Sequence, residues 1–148
     1  MPKLDLDTIP QTNATGYPPE YAGAVAGRWY RRLAPAAGLE DFGVSHVTLK
    51  PGAWSSQRHW HAGEDEFVVM LSGEAVLVDD TGETRLRAGD CAAFPKGDGN
   101  GHVLQNRSGS ECVFVAVGRP SNTACHYPDV DMQLVPGEGF RRRDGSAF

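Results

Sequence analysis

Between Arg28 and Val117 the chain alternates short runs of β-branched and aromatic residues with turn-forming clusters, and almost nowhere shows a helical period. Strand-like runs cover 28–33, 42–49, 55–61, 66–71, 75–78, 84–87, 91–94, 102–105 and 111–117. The punctuation between them is chemical. Asp79-Asp80-Thr81-Gly82 and Asn106-Arg107-Ser108-Gly109 supply residues that tolerate the backbone of a hairpin tip, and Lys50-Pro51-Gly52 marks another turn. Many short strands at regular spacing predict an all-β sandwich or barrel of the jelly-roll kind.

A length of 148 residues suits one domain with one core. We expect an extended N-terminal arm over 1–27, where Pro10, Gly16, Pro18, Pro19 and Gly23 oppose a helix, a barrel over 28–120, and a C-terminal extension over 121–148 whose apolar members seal one barrel end. The net charge of −5 argues against nucleic acid as a partner, because phosphate binding needs a basic surface. No run approaches the length of a membrane span and no basic-then-apolar leader opens the chain, so no membrane partner and a cytoplasmic location are expected. Cys91, Cys112 and Cys125 form no Cys-x-x-Cys pair and read as small buried side chains.

The chemistry concentrates in one stretch. His59 and His61 lie two apart in a run with strand character, so both imidazoles leave the same face and can share an ion. Glu66 opens the apolar run Phe67-Val68-Val69-Met70-Leu71, where a carboxylate without a partner is costly and a bound cation would supply one. His102 heads another strand after the glycine-rich turn 97–101. Any one of these histidines alone reads as hydrogen-bonded or exposed; the four residues together point to one divalent transition metal ion, of a donor set that suits Fe, Mn, Ni, Zn, Co or Cu. A six-coordinate ion would keep two positions for water, substrate or dioxygen. Gln57 and Ser55 share the parity of His59 and are candidate catalytic residues of the same cavity; Trp54 and Trp60 fall on the opposite parity and read as packing. His46 and His126 are left outside the site.

These residues resemble the two motifs of the cupin family. Gly52, His59, His61, Glu66 and Gly73 match the first, with six rather than five residues before His59; Gly89, Pro95, Gly97, His102 and Asn106 match the second, with four rather than two residues between Gly97 and His102. The fifteen residues between Gly73 and Gly89 fit small single-domain cupins, among them bacterial ones loosely described as sugar-phosphate-isomerase-like. The resemblance implies a cupin barrel with motifs at 52–73 and 89–106, and His59, His61, Glu66 and His102 as ligands, Glu64 and Asp65 being the rivals to Glu66. It implies a metal-dependent enzyme on a sugar, sugar phosphate or keto/hydroxy acid, by isomerase, lyase or dioxygenase chemistry; the alternative is a non-catalytic small-molecule-binding or sensor cupin. A homodimer is expected, since open barrel edges and apolar outer faces need cover, which exchanged N-terminal strands would give.

Overall fold

The computed structural model describes residues 3–119 and 122–148. The strands are β1 (Arg28–Arg32), β2 (Gly43–Leu49), β3 (Trp60–His61), β4 (Glu66–Ser72), β5 (Glu74–Asp79), β6 (Gly82–Arg87), β7 (Cys91–Phe94), β8 (Val103–Gln105), β9 (Cys112–Gly118), β10 (Cys125–Tyr127), β11 (Met132–Val135) and β12 (Gly139–Arg141). They form three sheets, ordered β1-β2-β9-β4-β7, β6-β5-β8 and β12-β11-β10-β3. Every named pairing is antiparallel. The fold is therefore the jelly-roll barrel that the strand spacing predicts.

Alternation explains the core. Inward residues of the larger sheet, Val47, Leu49, Val68, Met70 and Phe114, bury against Ala75, Leu86 and Leu104 of the smaller one. Burying each large aliphatic or aromatic side chain contributes about 1.5–3 kcal/mol. The outward residues of β4 follow the opposite parity and leave Phe67 and Leu71 exposed, an apolar face that the expected dimer would cover. Between β4 and β5 the chain reverses at Gly73, whose φ is +70° and whose missing Cβ would lie 2.6 Å from the Glu111 carbonyl oxygen. Glycine is thus required at this point of the first motif by both backbone and space. Asn106 of the second motif is buried: its amide donates to the Leu49 and Ser110 carbonyls, each at 2.8 Å, and its oxygen accepts from Ser108.

The flanks differ from the expectation. The N-terminal stretch is not simply extended: it holds 3-10 turns at Leu6–Thr8 and Gly23–Val25 and a one-turn helix at Pro19–Ala22, because Pro19 sits at the first helical position, where its missing N–H costs nothing. Thr12 pairs with Tyr30 of the same chain. The strand run expected over 28–33 ends at Arg32, and Leu33–Ala36 forms a helical turn instead. The C-terminal residues build a sheet that takes in β3, with Cys125 opposite His61 and His126 opposite Trp60. The expected boundary between barrel and extension, at 120 and 121, lies outside the described residues. Among the described residues no helix is long and apolar enough to cross a membrane.

Candidate metal centre

Three separate elements deliver the donors. His61 ends β3, Glu66 opens β4, and His102 stands just before β8, where its backbone exchanges both hydrogen bonds with His59 at 2.8 and 3.1 Å. The two extra residues before His102 are absorbed in the turn around Gly99, whose positive φ permits a tight reversal, and the histidine keeps its place opposite His59.

The side chains converge. His59 Nε2 and His61 Nε2 are 3.1 Å apart, and Glu66 Oε2 lies 3.1 Å from His61 Nε2, 3.5 Å from His59 Nε2 and 2.8 Å from His102 Nε2. An ion with bonds of about 2.1 Å would set neighbouring donors about 3 Å apart, so Glu66 Oε2 and the imidazole nitrogens around it have the spacing of neighbouring ligands; the donors of His59, Glu66 and His102 form one mutually close group, and those of His59, His61 and Cys125 a second that shares His59. Their orientation points the same way. His59 Nδ1 is 3.0 Å from the Gln57 carbonyl oxygen, which can only accept, so this nitrogen donates there and the ring turns Nε2 toward the cluster. Ser56 Oγ adds a second contact to the same nitrogen at 3.1 Å. The His102 ring is held by the Phe94 ring stacked on it at 3.6 Å, and its buried Nδ1 has no hydrogen-bond partner.

Electrostatics follow from this crowding. Burial alone would raise the Glu66 carboxyl, but the contacts from His102, His59 and His61 outweigh it and hold the group far below the usual range. Burial would lower His61 as well; the Cys125 sulfur and the Glu66 carboxylate outweigh it and lift the imidazole to about 10. His102, more deeply buried, is pushed down by desolvation despite Glu66. A carboxylate among three imidazoles is a pocket that favours a cation, whether proton or metal.

The other sequence candidates separate. Ser55 lines the cavity beside the cluster, with its Oγ accepting from the Leu104 amide at 2.9 Å. Gln57 does not: its side-chain amide donates to the Tyr21 carbonyl at 2.9 Å, away from the cavity. The parity argument fails for Gln57 because regular strand covers only Trp60–His61, and residues 55–58 are bends. Of the rivals to Glu66, Asp65 accepts from the Lys96 amide at 2.9 Å, and Glu64 lies 3.8 Å from His61 Nδ1, the nitrogen that Glu66 does not approach. Trp60 stacks on His126 at 4.4 Å. Cys91 corrects the expectation of three buried thiols, since it faces outward on the edge strand β7. Cys112 is buried, which pushes its thiol up to about 11. Cys125 is buried too, with Sγ within 4.8 Å of donor atoms of His59 and His61.

A cavity of about 470 Å³ opens from the cluster, a volume suited to a small molecule. Its wall includes Tyr17, Arg28, Tyr30, Arg32, Ser45, Ser55, Ser56 and Phe94. The sequence reading missed Tyr17, Arg28 and Arg32. A signal existed for the arginines: Arg28, Tyr30 and Arg32 alternate along a recognised strand and so share one face.

The model of the cupin domain matches residues 45–118, half of the chain. The chain belongs to the cupin family. A search of curated proteins finds no match. Among solved structures, this cupin is similar to a sugar phosphate isomerase of the cupin superfamily from Silicibacter pomeroyi, at 45% identity over 99% of this chain and 96% of that one, with a TM-score of 0.93. It is also similar to a protein from Acidithiobacillus ferrooxidans provisionally called a sugar phosphate isomerase, at 25% identity over 82% and 80% of the two chains, TM-score 0.73. The polyketide cyclase RemF from Streptomyces resistomycificus, at 21% identity over 82% of each chain and a TM-score of 0.67, shares the fold.

Proposed function

We propose that this cupin is a metal-dependent enzyme that acts on a small oxygenated molecule, a sugar, sugar phosphate or keto/hydroxy acid, with isomerisation as the leading reaction class. The observation that carries it is the convergence of three imidazole nitrogens and one carboxylate oxygen on the wall of an open cavity. His59, His61, Glu66 and His102 would hold one divalent transition metal ion. When bound, such an ion supplies Lewis-acid polarisation of a substrate carbonyl or hydroxyl. The likeness to the Silicibacter sugar phosphate isomerase supports the reaction class.

The chain's own groups supply the rest. His59 is fixed by Gln57 and Ser56, and His102 by Phe94, so both present Nε2 in one orientation. Two tyrosines line the cavity. Tyr30 gives its hydroxyl hydrogen to the Ala14 carbonyl at 2.9 Å, so that proton is spent locally. Tyr17 accepts the Gln57 N–H at 3.2 Å, and burial raises its pKa, which keeps the phenol neutral and makes it the wall group suited to donate a proton to a developing alkoxide. The homodimer, which would bury Phe67 and Leu71, belongs to the same reading; light scattering would report its mass.

The test is metal analysis of freshly purified protein and of the His59→Ala and His102→Ala variants, with NMR detection of product and of deuterium uptake from D2O across sugars, sugar phosphates and hydroxy acids. We expect metal in the parent, loss in both variants, and metal-dependent conversion. Unchanged metal in both variants would refute the centre. Binding without conversion under several metals would turn the reading into a binding module.

A further inference from the structure

We infer that Arg28 and Arg32 form an oxyanion subsite in the cavity, so that the ligand is a small acid carrying a phosphate or carboxylate group. The assignment rests on the reading that the cavity takes a small molecule at the metal centre, and it adds the ligand's chemical class.

Both side chains lie on one face of β1 and line the cavity. Their guanidinium carbons sit 5.3 and 5.8 Å from the centroid of Tyr30, the ring between them in sequence, which holds the planar groups by cation–π contact. Arg28 is further fixed by donating to the Ser55 carbonyl at 2.9 Å. That contact joins it to the centre through a short polar chain, because Ser55 Oγ is 3.4 Å from Ser56 Oγ, which is 3.1 Å from His59 Nδ1.

Charge is the decisive observation. Among the described residues Arg58 pairs with Asp80 and Asp129, Arg107 with Glu83, Arg141 with Glu138, and Arg142 with Glu20 and Asp131, while Arg31, Arg85 and Arg87 have no carboxylate partner and lie outside the cavity wall, so what sets Arg28 and Arg32 apart is an unpaired charge placed on that wall. Among the described residues neither Arg28 nor Arg32 has an acidic partner, in a chain with 19 acidic and 14 basic residues. Among the described residues Arg32 makes no hydrogen bond, and Arg28 Nε is buried without one. Among the described residues Glu66 is the single carboxylate of the wall, and the imidazoles already engage it. The wall therefore carries a positive excess that a bound divalent ion would enlarge. A neutral polyol leaves that excess uncompensated, whereas an oxyanion neutralises it and offers the acceptor geometry that guanidinium matches.

The test uses full-length protein, metal-loaded, titrated calorimetrically with inorganic phosphate, malonate and erythritol, together with Arg28→Gln, Arg28→Lys and Arg32→Gln. Metal content is measured on every sample. We expect one or both anions to bind the parent, erythritol to bind far more weakly, and each Gln variant to lose about tenfold or more in anion affinity at unchanged metal content. Arg28→Lys should keep part of the affinity, and Arg32→Gln alters an exposed side chain whose loss leaves folding intact. Tighter binding of phosphate marks a phosphomonoester ligand; tighter malonate marks a carboxylic acid. Anion affinity indifferent to both Gln substitutions, or no anion binding by the parent, overturns the subsite even where metal is retained. Arginine-dependent anion binding by a protein that takes up no metal would keep the subsite and discard the metal centre.

Discussion

Metal uptake by this cupin should expel close to one proton per ion at neutral pH, and the proton should come from His61. An imidazole must be neutral to coordinate. In the metal-free protein the Cys125 sulfur and Glu66 carboxylate overcome burial and place the His61 pKa at about 10, against an ordinary value of 6.5. His102 is shifted down and Glu66 is held ionised, so neither has a proton to give at pH 7 to 8. Apparent affinity should then rise about tenfold per pH unit over that interval, equivalent to about 1.4 kcal/mol. The assay is calorimetric titration with Ni2+ in two non-coordinating buffers of different ionisation enthalpy, from which the number of protons released is read directly. Glu66→Gln removes one of the groups that raise His61, while the Cys125 contact stays, so the release at pH 8 should fall below that of the parent. A parent protein that binds Ni2+ with no proton release between pH 7 and 8 would refute the assignment. The same displacement sets a sign for the metal-free fold: stability from the His61–Glu66 pair is complete below about pH 6.5 and is lost as pH rises through about 10.

Other outcomes follow from the scaffold. Asn106→Leu should cost about 2–4 kcal/mol in denaturant unfolding, because two buried carbonyls and the Ser108 donors lose their partner. Gly73→Ala should cost about 1–3 kcal/mol or more, since an L residue is strained at φ +70° and its Cβ would meet backbone; chemical denaturation again reads it. His46 is pushed down by burial and by Arg31, so the fold favours its neutral form. Its stability contribution is full above the unfolded value near 6.5 and falls as pH drops below it, and in EDTA the parent should lose more stability than His46→Gln between pH 7 and 5.5.

The barrel was legible because its strands are amphipathic and its turns carry their own chemistry. The run Phe67 to Leu71 and the turn at Asp79 to Gly82 speak for themselves locally. Gln57 was not legible, because parity is informative only inside a continuous ladder, and the ladder there begins at Trp60. The strands β10 to β12 are three or four residues long and gain their pairing from one another and from β3, a non-local cause that no window of sequence displays. Cys125 beside the histidines is a product of that pairing. Cys91 on an exposed edge shows that residue type alone does not fix burial. Arg28 and Arg32 could have been found by the same alternation that selected His59 and His61; their meaning depends on carboxylates being absent nearby, which only the folded arrangement reveals.

The pairing of β3 with β10 bears on how the protein is made. His59 through His102 are synthesised before Cys125 to Tyr127, so a nascent chain carries every proposed donor while the strand that backs His61 is still missing. If the proposed centre takes up metal, loading should await the finished polypeptide, and a ribosome-bound intermediate should be a poor scavenger of ions.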